Sequence, residues 1–250
     1  MTRDIIRTER IGPVTVIHLQ DDRALNALGS ALVAGLADAL EHAQQDPEVR
    51  AVVITGSDRA FCAGAHIPEV LALREALTAD PDAEVYLDRL FDLLAASPQP
   101  VIAAVRGLAL GGGCELALAC DLVVAGESAS FGLPEVRLGV IPGAGGTQRL
   151  VHAIGKAKAT RMLMTGESVD AAWAESAGLV AEVAADEDVV ARAVDIARRA
   201  ADNAPGAVRL AVGCARRAQD LSLTDGLAHE RRAFLEALAS DDAAEGMSAF

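Results

Sequence analysis

The sequence predicts an α/β fold followed by an all-helical C-terminal region. Three observations carry that expectation. Short, unbroken apolar runs recur at Ala51–Thr55, Val101–Val105 and 122–125, as strands covered on both faces do. Helical patterns separate these runs, which is the α/β alternation. From Asp186 onward no strand pattern is visible, so a core over 1–190 and a helical region over 191–250 are expected.

The elements follow in order. Val14–Leu19 is β-branched, short and preceded by Gly12-Pro13, and reads as a strand. Residues 28–45 read as a helix with Ser30 as its N-cap, because Leu32, Leu36, Ala39, Leu40 and Ala43 repeat at helical spacing. Between the second and third apolar runs, Gly111 to Gly113 precede good helix formers and read as a loop entering a buried helix. Residues 139–146 form a second glycine-rich turn, interrupted by Pro142. Residues 151–164 read as one helix ended by Gly166, and 169–177 as a helix capped by Ser168 and ended by Gly178. Four more helices are expected at Val189–Ala201, 207–219, 223–239 and from Asp241, with Pro205 and Ser222 between them.

Composition narrows the function. The chain has 250 residues, 52% hydrophobic and 23% charged, enough for a large core without staples. Aromatic residues are only 3%, so Ala, Val, Leu and Ile must build that core. The net charge is −14 and no Lys/Arg run exceeds two residues, which argues against nucleic acid and against anionic membranes. The longest uncharged stretches, 24–37 and 93–105, are too short and too polar to span a bilayer. Cys62, Cys114, Cys120 and Cys214 form no C-x-x-C pair and no zinc pattern, so no metal is expected. With no apolar leader behind Met1, the chain reads as a cytoplasmic protein with reduced thiols.

Two carboxylates stand out. Glu115 lies in an otherwise uncharged, mostly apolar segment, where burial raises a carboxyl pKa unless the group is paired. It is either a general acid or base, or a structural residue that points outward or pairs with Arg106 or Arg137. Glu135 follows Pro134, and alone it reads as an exposed turn acid. Two carboxylates near two small-residue loops, Cys62-Ala-Gly-Ala65 and Gly111-Gly-Gly113, are more specific than either one. Such loops leave backbone N–H groups free to face a ligand, and two converging donors make an oxyanion hole. Tight packing is the plainer explanation for most glycine clusters. His66 stands beside the first loop with no Ser or Cys partner in view, and a structural role is the plainer reading. No G-x-G-x-x-G fingerprint, P-loop or G-x-S-x-G elbow is present.

Together these residues resemble the enoyl-CoA hydratase (crotonase) family. Four segments carry the likeness: Arg23-Ala-Leu-Asn-Ala-Leu28, Ala60-Phe-Cys-Ala-Gly-Ala-His-Ile67, the stretch from Val105 to Asp121, and the stretch from Phe131 to Leu150. The resemblance implies a spiral of β-β-α turns with a helical C-terminal region that builds homotrimers, often paired into homohexamers. It implies Glu115 and Glu135 as catalytic glutamates, and the N–H groups of Ala65 and Gly112 as the oxyanion hole. It implies an acyl-CoA site with Arg23, Ala24, Leu25, Arg59, Ala63, Ala65, His66, Ile67, Leu108, Gly111, Gly112, Pro134 and Gly143 as its binding residues. The implied reaction is hydration of a trans-2-enoyl-CoA to a 3-hydroxyacyl-CoA, as in fatty-acid β-oxidation. CoA is part of the substrate, and no separate cofactor is implied.

The chain also departs from the family pattern. His66 and Pro68 replace an Asp and a Lys that are common there, and Leu133 replaces a polar residue. Relatives usually continue with a basic tail beyond the position of Phe250. Two other readings stay open: an isomerase or lyase of a specialised acyl-CoA, and a silent member that binds RNA or acts as a scaffold. The charge and the two retained glutamates weigh against the last.

Overall fold

The structure is a computed structural model that describes residues 5–82 and 85–249. It opens with a hairpin: β1 (Ile6–Ile11) lies antiparallel to β2 (Val14–Leu19), and α1 (Ser30–Gln45) follows. The chain then repeats one unit, a strand, a shorter strand and a helix. The first unit is β3 (Ala51–Thr55), β4 (Ala60–Cys62) and α2 (Ile67–Ala79), with α3 (Asp88–Ala95) added. The second is β5 (Val101–Val105), β6 (Leu108–Leu110) and α4 (Gly112–Ala119). The third is β7 (Leu122–Gly126), β8 (Ser130–Gly132) and a 3₁₀ turn, Pro134–Leu138, leading to α5 (Gly146–Ile154) and α6 (Lys156–Thr165). These are the β-β-α turns that were expected. The chain closes with β9 (Ser168–Asp170), α7 (Ala171–Ala177), β10 (Glu182–Ala184), α8 (Val189–Ala201), α9 (Pro205–Arg217), α10 (Leu223–Leu238) and α11 (Asp241–Ala249).

The long strands form one sheet in the order β1-β2-β3-β5-β7-β10, parallel from β2 onward. The short strands form a second sheet, β4-β6-β8-β9. Side-chain alternation explains the unbroken apolar runs. Val52, Ile54, Ala103 and Val105 face the main core with α1 and α3, while Val53, Ala51, Ile102 and Ala104 face α8. Both faces are dry, so the one polar side chain of these two strands, Thr55, is buried with its Oγ1 donating to the Ala104 carbonyl at 3.0 Å. Val189, Ala193, Val194 and Ala197 of α8 complete that second layer. Thus the helix-only stretch begins near residue 190, yet α8 is the cover of the sheet. Like α2, the helices α9, α10 and α11 bury few or no side chains. Arg216 ties α9 to the sheet end: its Nε and Nη2 each lie 2.7 Å from the Asp121 carboxylate, and Nη1 donates to the Ser97 carbonyl.

Three expected elements differ from the observed ones. Residues 151–164 are not one helix, because Gly155 takes a left-handed φ of +77° that separates α5 from α6. Ser168 caps no helix. Residues Ser168–Asp170 pair with β8 instead, and Asp170 caps α7 by accepting the Trp173 N–H at 2.8 Å. Ser30 is the first helical residue of α1 and not its cap, and its N–H donates to Glu69 Oε2 at 2.7 Å.

Candidate active site

The second sheet brings the two small-residue loops together. β4 and β6 are parallel neighbours, so the loop after Cys62 and the loop after Leu110 emerge at the same end. Leu28 brackets the first loop. Its N–H donates to Gly64 O at 2.7 Å, and its carbonyl accepts the His66 N–H at 3.1 Å. The Ala65 N–H between them is left facing away, and it has no acceptor among the described residues. Gly112 opens α4, where the first N–H groups have no acceptor within the helix. A side chain at Gly112 would stand 3.6 Å from the Ala65 nitrogen, so the two donors are adjacent. The positive end of α4 lies at the same place.

Gly113 makes this approach possible. A Cβ there would overlap the Cys62 carbonyl oxygen and lie 2.8 Å from the Cys62 Cβ. The N-terminus of α4 therefore rests on the backbone of β4, and no larger residue fits.

Glu115 lies one turn into α4, on the face of Gly112 and Gly111. It is 3% exposed. It pairs with neither Arg106, which binds Asp58, nor Arg137. Its Oε1 accepts the N–H groups of Ala144 and Gly146, at 2.7 and 2.8 Å. These donors belong to the glycine-rich turn and the first residue of α5. A buried carboxylate held by backbone donors, with Oε2 left over, is oriented toward a single task.

Glu135 is placed differently. It sits in the 3₁₀ turn behind Pro134, half-buried, and its Oε2 is buried without a hydrogen-bond partner. A Cβ on Gly111 would be 3.1 Å from Glu135 Oε1, so glycine leaves room for the carboxyl. Loss of solvent pushes its pKa up to about 7, and the nearby negative charge of Glu115 adds to the rise. One carboxyl is thus anchored by donors while the other is kept near its protonated form.

The raised pKa has a consequence for stability. The folded chain binds the Glu135 proton more tightly than the unfolded chain, whose reference value is 4.5. Stability from this group is therefore whole below about pH 4.5 and is lost as pH rises through about 7. Glu135→Gln should match the wild type near pH 4 and exceed it at pH 8. Because the group is half-exposed, the gain is reduced to about 1 kcal/mol, or ~2–4 °C in Tm. Thermal unfolding of both proteins at the two pH values checks this, and an equal Tm at pH 8 contradicts it.

The other expected residues divide into two groups. Ala63, Ala65, Leu108, Gly111, Gly112 and Pro134 lie partly or fully buried around the two loops. Ala24 and Leu25 lie partly buried in the loop before α1, and Leu25 takes a φ of +51°. Arg23, Arg59, Ile67 and Gly143 are exposed, and a side chain at Gly143 would meet nothing within 4 Å. His66 points its Nδ1 toward Glu69 Oε1 at 3.2 Å. Leu133 is fully buried in the main core.

Sequence reasoning missed the partners of these groups. The N–H donors to Glu115 come from residues 144 and 146, which carry no side-chain signal. Glu69 also went unnoticed, although its position three residues after His66 was a usable hint. A cleft of about 400 Å³ lined by Gln44, Arg50, Gln99 and Arg209 contains none of the expected site residues.

Comparison with known proteins identifies the family. The family model described as enoyl-CoA hydratase/isomerase matches residues 9–250. The Mycobacterium bovis protein named "Probable enoyl-CoA hydratase echA8" is 45% identical over all of this chain and 96% of its own length. The 2,3-dehydroadipyl-CoA hydratase of Escherichia coli is 44% identical over 95% of this chain and 91% of its own. A crystal structure titled as an enoyl-CoA hydratase subunit of Geobacillus kaustophilus superposes with a TM-score of 0.90 at 42% identity, covering 98% of this chain and 94% of that one. With its β-β-α spiral and this full-length likeness, the chain belongs to the enoyl-CoA hydratase/isomerase family.

Proposed function

We propose that Glu115, Glu135 and the N–H groups of Ala65 and Gly112 hydrate a trans-2-enoyl-CoA to a 3-hydroxyacyl-CoA. The activity is that of a hydro-lyase, an enoyl-CoA hydratase, and full-length likeness to proteins named as probable enoyl-CoA hydratases supports it. The observation that carries the assignment of roles is the contrast between the two carboxyls. Glu115 is fixed by two backbone donors and would take a proton from water as its oxygen bonds to C3. Negative charge then moves to the thioester oxygen, where the two N–H donors hold it without reorganising. Glu135, with its pKa near 7, would deliver a proton to C2. The proton on Glu115 leaves through solvent, and Glu135 regains one the same way. Water is the only co-substrate, so the reaction needs no cofactor. A screen over acyl chain lengths, following loss of the enoyl-thioester absorbance, tests this. Turnover of at least one 2-enoyl-CoA supports it, and inertness toward all of them rejects it.

CoA binding is proposed at Arg23 and Arg59. Both are exposed, and the Asn26 side chain ties their two segments together through Ala60 O and Phe61 O. Such contacts persist equally in ground and transition states. Changing both to Ala should raise KM for the thioester several-fold and spare kcat. An unchanged KM rejects the placement.

The assembly we propose is a homotrimer or homohexamer built through α10 and α11. Leu227, Phe234 and Leu238, spaced by seven and four, share a face of α10 and are 54%, 61% and 46% exposed. Apolar groups so arranged gain by burial against another copy. Analytical ultracentrifugation should find three or six times the protomer mass, and a single protomer species rejects assembly. The cytoplasmic location rests on the four free thiols.

A further inference from the structure

We propose that the loop between β2 and α1 is the device that aims the oxyanion donors, with Asn26 and Tyr86 as its positioning residues. This inference rests on the assignment of Ala65 and Gly112 as those donors.

Asn26 is fully buried, although it is polar and sits in a loop. All of its hydrogen-bonding capacity is directed at fastening that loop. Its Oδ1 accepts the Asp21 N–H at 2.7 Å, which closes the loop on itself. Its Nδ2 donates to Ala60 O at 3.0 Å and Phe61 O at 3.1 Å, which locks the loop to β4. Leu25 and Asn26 are the only non-glycine residues with positive φ among the described residues, at +51° and +55°. Two successive side chains in the left-handed region cost free energy and persist only when their surroundings hold them there. The three hydrogen bonds of Asn26 supply that hold.

What the loop presents is Leu28, which is bonded to the residues on either side of Ala65 and packs on Gly112. Its N–H and carbonyl bracket Ala65, binding Gly64 O and the His66 N–H, so that the Ala65 N–H cannot turn into the ladder. Its side chain packs against Gly112, with Cδ1 3.1 Å from where a Cβ there would be. Its carbonyl accepts a second hydrogen bond, from the Tyr86 hydroxyl at 2.9 Å. Asn26 thus sets the loop, Tyr86 steadies Leu28, and Leu28 sets the spacing of the two N–H groups. Neither Asn26 nor Tyr86 need touch substrate.

The test reads the donors directly. A chromophoric 3-aryl-2-enoyl-CoA bound in the site has its thioester carbonyl polarised by the two N–H groups, and its absorbance moves to longer wavelength. The wild type should show that shift; its absence would overturn the donor assignment and this inference with it. Asn26→Gly keeps the left-handed backbone open and removes only the side chain. If the wild type shifts, Asn26→Gly should bind the probe with a clearly smaller shift. Its kcat should fall by about 10- to 100-fold, more than any rise in KM from loosening the Arg23 and Arg59 segments. A folded Asn26→Gly protein with the full shift and wild-type kcat overturns the inference. Should that protein fail to fold, Tyr86→Phe decides, because it deletes one hydroxyl from a half-buried ring. A reduced shift with a kcat loss of a few-fold supports the role, and an undiminished shift and kcat overturn it.

Discussion

Replacing Glu115 or Glu135 by Gln lowers hydration of a 2-enoyl-CoA by about 10²- to 10⁴-fold, the usual contribution of a general acid or base. The fold survives both changes. In Glu115→Gln the amide oxygen still accepts the Ala144 and Gly146 N–H groups, so the turn before α5 keeps its anchor. At position 135 the amide replaces a carboxyl whose Oε2 has no partner to lose. The two losses do not multiply, because both carboxyls serve the same addition. The double mutant should fall little below the worse single one. Steady-state rates on purified, folded proteins measure this. Near-wild-type turnover in either single mutant removes that glutamate from the mechanism.

Gly113→Ala produces the largest loss of stability. The new methyl, whose place the α4 backbone fixes, would overlap the Cys62 carbonyl oxygen, itself a backbone atom. Backbone cannot rotate away as a flexible side chain can, so α4 and β4 must separate. Overpacking of this kind costs about 3 kcal/mol or more, which lowers Tm by roughly 6–12 °C in a chain of this size. Separation also moves Gly112 away from Ala65, so the surviving folded fraction should lose activity as well. Calorimetry together with rates per folded molecule checks both. A Tm within a degree of the wild type would mean that the helix does not rest on the strand as described.

The large features of the fold were legible because burial writes itself into composition. Residues 51–54 and Val101–Val105 are apolar throughout because each face meets a packed layer. The glycine triplet before Cys114 marked the loop entering α4 for the same kind of reason, since contact with Cys62 demands small residues. The short strands β4, β6 and β8 were not legible, because three residues show no period. The helix α2 was missed because it buries no residue and so has no apolar face to read. The split at Gly155 was missed because one glycine inside a helical pattern is often tolerated.

The site shows the same limit. Glu115 was visible as a charge among apolar neighbours, but its partners were not, because the backbone N–H groups of Ala144 and Gly146 lack a side-chain signature. Burial of Asn26 was equally hidden: a polar residue in a loop reads as solvent-exposed until the carbonyls of Ala60 and Phe61 are seen beside it.

The measurement closest to the central claim is hydration in water labelled with ¹⁸O. The purified protein is mixed with a trans-2-enoyl-CoA of a chain length that it turns over, and the product is examined by mass spectrometry. Water attack at C3, with the charge held at the thioester oxygen, predicts a 3-hydroxyacyl-CoA carrying one ¹⁸O at C3. It also predicts that this labelled product forms about 10²- to 10⁴-fold more slowly when Glu115 is replaced by Gln. An unhydrated product with its double bond moved, or a labelled product formed equally well by the Glu115→Gln protein, would contradict it.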